Sequence, residues 1–163
     1  MMLYLMRHAE AVNSSPDALR PLTEHGRKTV RTVAQFLKGK RLFRPECIYH
    51  STLLRAIQTS QLFAEELGMQ PLLTAHDELT PDSSLAGALQ LIGNSSSSLA
   101  IVGHNPHLSY LANYLLGGEI SHYSIDLRKT DLLCLERQDY VVGVDQTQTV
   151  WTIRWYLTEK LFT

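Results

Sequence analysis

The sequence predicts an α/β fold, a three-layer α/β/α sandwich around a mainly parallel, six-stranded sheet. Short apolar runs typical of buried strands recur along the chain, and a segment with helical periodicity follows each of the first four. Strands that alternate with helices form parallel sheets covered on both faces. The last two runs have no helix between them, so we expect them to add an antiparallel edge.

The first strand is expected at residues 2–6, an apolar run with no polar interruption. A helix follows, because apolar side chains recur at the spacing i, i+3, i+4 and i+7: Val30, Val33, Ala34 and Leu37. Thr23 is the expected N-cap of this helix, and Gly39 lies near its expected C-terminal end. Residues 47–50 form the second predicted strand, and Ser51 is expected to cap the second helix.

The middle of the chain continues the alternation of strands and helices. Residues 71–75 are predicted as the third strand, and residues 84–92 as a short helix. The fourth strand is expected at residues 98–103. Asn105 is the expected N-cap of the next helix, and Pro106 its first residue.

The last two strands are predicted at residues 131–136 and 149–157, with an irregular connection between them. The chain has no internal repeat, and its serine-rich stretch at 94–98 is too short to divide domains. A length of 163 residues suits one domain of ordinary size. We therefore expect a single domain over residues 1–163.

Composition narrows the class of protein. Lys and Arg together number 15, and Asp and Glu together number 16, so no basic excess indicates a nucleic-acid or membrane surface. No apolar run approaches the roughly 20 residues of a membrane span. The two cysteines, Cys47 and Cys134, lie in apolar runs and are interpreted as small buried hydrophobes rather than a disulfide. These features favour a cytoplasmic protein.

Basic side chains follow three of the predicted strands. Arg7 and His8 come directly after the first, Arg55 stands at the start of the helix after the second, and His104 follows the fourth. Ligands of open α/β sheets bind beyond the carboxyl ends of the strands. Arginine matches phosphate oxygens, helix N-termini favour anions, and a neutral imidazole can attack phosphorus. The sequence therefore predicts an oxyanion site that contains a nucleophile.

A metal site is the rival interpretation of the histidines. His104 and His107 are three residues apart, and further ligands could come from the rest of the chain: His8, His76 and Glu10. Arg7 and Arg55 would repel a divalent cation in the same crevice. We therefore expect neither a metal nor another cofactor.

Several motifs resemble those of one known family. "LMRHAEA", "STLLRAIQTS" and "IVGHNP" resemble, in this order, three motifs of the histidine phosphatase superfamily, which has the phosphoglycerate-mutase-like fold. "LRPLTEHG" is similar to a further segment of that family. Three motifs in the family's order are far more specific than any one of them alone. The resemblance spans residues 2 to about 116.

The resemblance implies a role for each matching residue. His8 would be the nucleophile, and Arg7, Arg55 and His104 would hold the phosphoryl group, with His104 protonated there. Arg20 would add an anion contact at the rim. Glu78 is the expected general acid and Glu10 the second choice, although Glu78 could equally be a loop carboxylate that bonds nearby backbone.

The short interval from Arg55 to His104 leaves no room for the lid of mutase-type members. The chain thus resembles the short branch of the family, the phosphohistidine phosphatases, whose substrate would be a histidine-phosphotransfer or other signalling protein. Two alternatives stay open. The same residues could hydrolyse small phosphorylated metabolites, or they could form a phosphate-binding module without catalysis.

Overall fold

The computed structural model describes residues 1–117, 125–143 and 146–162. Its sheet contains six strands: β1 (Met2–Arg7), β2 (Cys47–Ser51), β3 (Leu73–His76), β4 (Leu99–Gly103), β5 (Leu132–Gly143) and β6 (Gln146–Leu157). Their order across the sheet is β3-β2-β4-β1-β5-β6. The first four strands pair in parallel, while β5 and β6 add antiparallel pairs next to β1. The predicted parallel sheet with an antiparallel edge is confirmed.

Four α-helices cover the two faces of this sheet: α1 (Glu24–Lys40), α2 (Leu54–Leu67), α3 (Leu85–Gly93) and α4 (His107–Leu115). Successive residues of a strand point to opposite faces. Tyr4 and Met6 of β1 accordingly pack with apolar residues of α1 and α2, whereas Leu3 and Leu5 pack with α3 and α4. The predicted three-layer sandwich is confirmed. None of these helices is long and apolar enough to cross a membrane.

Both ends of α1 lie where the sequence signals place them, although the residue after the helix is not a glycine. Thr23 is the N-cap, as predicted, and its Oγ accepts a hydrogen bond from the Gly26 amide at 2.9 Å. Gly39 does not end the helix, which continues to Lys40. Arg41 then takes the left-handed conformation, with a φ of 54°, and its amide donates to Leu37 and Lys38 carbonyls. The left-handed residue that ends the helix is therefore an arginine and not the glycine that is usual there.

Two cap predictions are wrong: α2 and α4 begin later than predicted, and the side chains of Ser51 and Asn105 contact distant parts of the chain. Ser51 is the last residue of β2, and its Oγ lies 2.8 Å from His104 Nε2. The Asn105 amide donates to Asp126 and to the Leu127 carbonyl, and α4 begins only after Pro106. Both residues therefore tie separate parts of the chain together at the carboxyl edge of the sheet.

The stretch predicted as a connection between the last two strands belongs largely to the strands themselves. β5 runs on through residues 137–143 and pairs with the first half of β6, for example Tyr140 with Gln148. This part of the hairpin is exposed, and Arg137 and Asp139 form an ion pair along it at 3.1 Å. Backbone pairing extends the strands without burying an apolar face, so no alternation of apolar residues marks them.

The start of α1 packs closely against the segment that follows β1. The Thr23 amide donates to the Glu10 carbonyl at 3.0 Å, and Ala11 forms an isolated bridge with Leu22. A Cβ added to Gly26 would lie 2.3 Å from the Glu10 carbonyl oxygen. Glycine is therefore required at position 26 because two backbone segments touch there.

We predict that Gly26→Ala lowers the free energy of unfolding by about 1–3 kcal/mol, since the backbone must shift to make room. Gly39→Ala is the matched control, because a Cβ at that helical position meets nothing within 4 Å. This control should raise stability by up to about 1 kcal/mol through the better helix propensity of alanine. Urea unfolding measures both, and equal effects of the two substitutions would contradict the close packing at Gly26.

Candidate active site

The carboxyl ends of β1, β2 and β4 lie side by side and bring their following residues together. Arg7 is in register with Gly103, and the His8 amide continues this pairing by donating to the Gly103 carbonyl at 2.9 Å. The rings of His8 and His104 have centroids 4.9 Å apart. Arg55, in the first turn of α2, donates from Nε to His8 Nε2 at 3.3 Å. One crevice thus holds both histidines and Arg55.

The hydrogen bonds of His8 fix its tautomer. Its Nδ1 lies 2.7 Å from the Ala9 carbonyl oxygen, which can only accept, so Nδ1 carries the proton. Nε2 then has a free lone pair, and it is this atom that accepts from Arg55. The Ala9 amide in turn donates to the Thr59 hydroxyl at 3.0 Å, so α2 also holds the backbone beside the imidazole.

Arg7 is held by a backbone carbonyl, and His104 by a serine side chain. Arg7 donates from one terminal guanidinium nitrogen to the Leu127 carbonyl at 2.9 Å. His104 has its Nε2 2.8 Å from Ser51 Oγ, while its buried Nδ1 has no hydrogen-bond partner within the described parts of the chain. A buried nitrogen of this kind is suited to a bound oxyanion, provided that it carries a proton.

The electrostatics of the crevice keep both histidines neutral. Burial lowers the pKa of His8 to about 4, and the charges of Arg55 and Arg7 act in the same direction, against the hydrogen bond to Ala9. Burial also lowers the pKa of His104 to about 2, with contributions from His8 and Arg55. Burial therefore opposes a positive charge on His104, and its protonation beside a phosphoryl group stays a prediction. The negative charge of a phosphoryl group beside His104 would raise this pKa and so favour uptake of a proton from solvent.

Asp17 is a site residue that the sequence did not reveal. It lies in a 3₁₀ turn, Asp17–Leu19, in the loop between β1 and α1. Its carboxylate is 3.1 Å from a terminal nitrogen of Arg55, and its carbonyl accepts from the other terminal nitrogen at 2.9 Å. No motif or periodicity marks an aspartate in a loop, so the only signal was its position between two recognisable segments.

A second missed contribution comes from residues 127–130, which follow the predicted motifs by more than twenty residues. The Thr130 amide donates to the carbonyls of Arg7 and His8 at 3.2 and 3.3 Å. Thr130 has a φ of 66°, a conformation that is costly for a β-branched residue. Lys129 adds a positive charge that favours neutral His8. Such long-range backbone contacts leave no pattern in the sequence.

Glu78, Glu10 and Arg20 each bond to a partner other than the predicted nucleophile, His8. Glu78 lies 3.7 Å from His76 and packs against Gly87 of α3, and Glu10 accepts a hydrogen bond from the Thr23 hydroxyl at 2.8 Å. No recorded contact among the described residues joins either carboxylate to His8, so a general acid stays a prediction. Arg20 donates to Asp17 at 2.9 Å and to the Val12 carbonyl. Arg20 is thus linked to Arg55 through the Asp17 carboxylate, which both arginines contact.

The histidines of the described ranges do not form a recognisable metal centre. Within residues 1–117, 125–143 and 146–162, no group of three or more His, Cys, Asp or Glu side chains is arranged to hold a metal ion.

The buried histidines predict a characteristic dependence of stability on pH. The pKa values of His8, His104 and His107 are all lowered by burial, whereas in the unfolded chain they return to about 6.5. Below that pH the unfolded state binds more protons than the folded state. Stability should therefore fall as the pH drops from about 6.5 towards 4, by up to about 1.4 kcal/mol per pH unit for each histidine.

Urea unfolding between about pH 7 and pH 5 measures this slope. The variant His8→Asn should show a shallower slope than the unmodified protein, because one of the three groups is removed. Stability that rises on acidification, or a slope that the substitution leaves unchanged, would contradict burial of neutral His8.

Comparisons with known proteins agree on one family. Residues 3–79 match the histidine phosphatase superfamily (branch 1). The phosphohistidine phosphatase SixA of Escherichia coli (strain K12) is 34% identical over 124 residues, covering 73% of this chain and 76% of that protein. A structure of the protein histidine phosphatase SixA complexed with tungstate has a TM-score of 0.83 at 24% identity, covering 100% of both chains.

The fold is also similar to that of enzymes named for other substrates. A phosphoserine phosphatase mutant from Entamoeba histolytica, in complex with phosphoserine, has a TM-score of 0.68 at 16% identity, covering 98% of both chains. The likeness in fold therefore does not separate protein substrates from small ones. Together with the 34% identity to SixA, the match over residues 3–79 shows that the chain belongs to the histidine phosphatase superfamily, in its phosphohistidine phosphatase branch.

Proposed function

We propose that this histidine phosphatase removes phosphate from phosphohistidine on a protein, through a covalent intermediate on His8. The observation that carries the proposal is a neutral imidazole whose Nε2 lone pair faces the crevice beside Arg55. A module that only binds phosphate would need donors there and not a nucleophile, which disfavours the non-catalytic alternative. The curated relative named a phosphohistidine phosphatase supports the choice of substrate.

The proposed first step is an in-line displacement at phosphorus. His8 Nε2 forms the new P–N bond, while the bond from phosphorus to the leaving nitrogen breaks and its electron pair returns to the substrate ring. Arg7, Arg55 and the Nδ1 of a protonated His104 would neutralise charge on the phosphoryl oxygens. Arg55 must first release His8 Nε2, because the resting hydrogen bond occupies the attacking lone pair.

The proposed second step is hydrolysis of the phosphorylated His8. Water attacks phosphorus, the P–N bond breaks, and its electron pair returns to Nε2, so that neutral His8 and dihydrogen phosphate result. The proton on Nδ1 stays in place throughout, held by the Ala9 carbonyl. Neither step routes a proton through Glu78, which we retain only as a proposed acid for ester substrates.

The elements between Arg55 and His104 favour a substrate displayed on a protein surface. This interval holds only the rest of α2, β3, the nine residues of α3, β4 and short 3₁₀ turns, with no inserted lid. Lids enclose small substrates and supply contacts to their non-reacting parts. A protein substrate can instead make contacts from its own surface around the rim.

The cellular setting is a further part of the proposal. Cys47 and Cys134 are free thiols, Cys134 is fully buried and Cys47 is half-buried, which suits a reducing compartment. We place the enzyme in the cytoplasm, acting on histidine-phosphotransfer or other signalling proteins. Neither a nucleic acid nor a membrane is a proposed partner.

Rates on two kinds of substrate test the proposal. We predict that kcat/KM on a phosphorylated histidine-phosphotransfer protein exceeds that on sugar phosphates, phosphoserine or phosphoglycerate by at least about 100-fold, equivalent to about 2.7 kcal/mol of transition-state stabilisation. The variant His8→Ala is the control for contaminating phosphatases and should lack nearly all turnover. Equal or higher rates on a small ester would favour the alternative, a phosphomonoesterase that uses the same residues.

A further inference from the structure

The carboxylate of Asp17 stands at the mouth of the crevice. Its side chain is 61% exposed, whereas that of Arg55, to which it is bonded, is only 6% exposed. Arg20 holds the other carboxylate oxygen at 2.9 Å. Two arginines thus hold the side chain, one bonded to each carboxylate oxygen, while much of its surface faces solvent.

Asp17 contributes an acidic, exposed side chain to an otherwise basic set of groups. The inner groups are the arginines and the two histidines, which suit phosphoryl oxygens. Hydrogen bonds from Arg20 and Arg55 lower the pKa of Asp17, so its carboxylate is negative at neutral pH. In-line attack from His8 directs the leaving group away from the imidazole. When phosphorus lies over His8, the leaving group therefore points away from the imidazole. Of the two side chains bonded to Arg55, His8 is buried and Asp17 is the one exposed to solvent.

We infer that Asp17 is a specificity-determining residue, whose carboxylate selects phosphoryl donors with a positively charged leaving group over phosphate esters. The inference rests on the proposed function and names the property of the substrate that the mouth recognises. A phosphohistidine ring that carries a proton on its second nitrogen has this property. Sugars, serine and glycerate, attached through oxygen, do not.

The charge balance of the first step explains why this selection helps catalysis. The protonated substrate ring is positive, accepts the electron pair of the breaking P–N bond, and departs as a neutral imidazole that keeps its proton. The positive charge passes to the phosphorylated His8. Before transfer, the Asp17 carboxylate favours the protonated ring, either through the attraction of opposite charges or by accepting a hydrogen bond from the ring N–H. An ester instead develops negative charge on its leaving oxygen, which an ionised carboxylate repels and cannot protonate.

The substitution Asp17→Asn tests the inference, because it removes the charge and keeps the shape. If the carboxylate and the protonated substrate ring lie about 5 Å apart near the surface, loss of their attraction should lower kcat/KM on a phosphohistidine protein about tenfold. The value on phosphoserine should stay level or rise. The ratio of the two values is the decisive quantity, since an effect through the position of Arg55 alone would lower both in parallel and leave the ratio unchanged. That parallel loss would overturn the inference.

Two further variants separate charge from structure. Asp17→Glu retains the charge and should keep most of the preference for phosphohistidine. Arg20→Gln removes one support of the carboxylate without removing its charge, so it should also leave the ratio within a few-fold of the unmodified protein. A tenfold loss of the ratio in Arg20→Gln, with Asp17 intact, would contradict a direct role of the carboxylate.

The outcomes of this experiment can be told apart from those of the test of the proposed function. If the unmodified enzyme prefers esters, the proposed function is wrong. If it prefers phosphohistidine and Asp17→Asn keeps that preference, only the inference about Asp17 is wrong.

Discussion

The hydrogen bond from His8 Nδ1 to the Ala9 carbonyl is the interaction on which the chemistry of the site depends. It is short, at 2.7 Å, and because a carbonyl cannot donate, it leaves only Nε2 with a lone pair. Burial lowers the pKa of the same ring, so the lone pair is not lost to a proton at neutral pH. The contact thus selects the atom proposed to react, and burial of the ring keeps that atom unprotonated.

The rest of the fold keeps this contact in place. The His8 amide bonds to Gly103 of β4, the Ala9 amide to Thr59 of α2, and the His8 carbonyl to the Thr130 amide. Three separate segments therefore fix the backbone on either side of the imidazole. The left-handed conformation of Thr130 is consistent with this role, since strained backbone persists where surrounding contacts determine it.

The sequence predicts much of the fold because the buried face of each helix or strand carries apolar residues at that element's own spacing. It also predicts that Arg7, His8, Arg55 and His104 follow strand ends, and the parallel register of the sheet then brings these ends together. Contacts that depend on the path of a loop could not be predicted. Asp17 meets Arg55 through an irregular turn, and Thr130 meets His8 through backbone atoms, which every residue possesses.

The most direct measurement is the chemical position of phosphate in a trapped intermediate. The enzyme is mixed with a labelled phosphohistidine protein, quenched in alkali because phosphohistidine is acid-labile, and digested for peptide mapping. The account predicts label on the peptide that contains His8, with phosphate on Nε2 of the ring. Phosphate on Nδ1 of His8, or on His104, would contradict the central claim that the Ala9 carbonyl selects the reacting nitrogen.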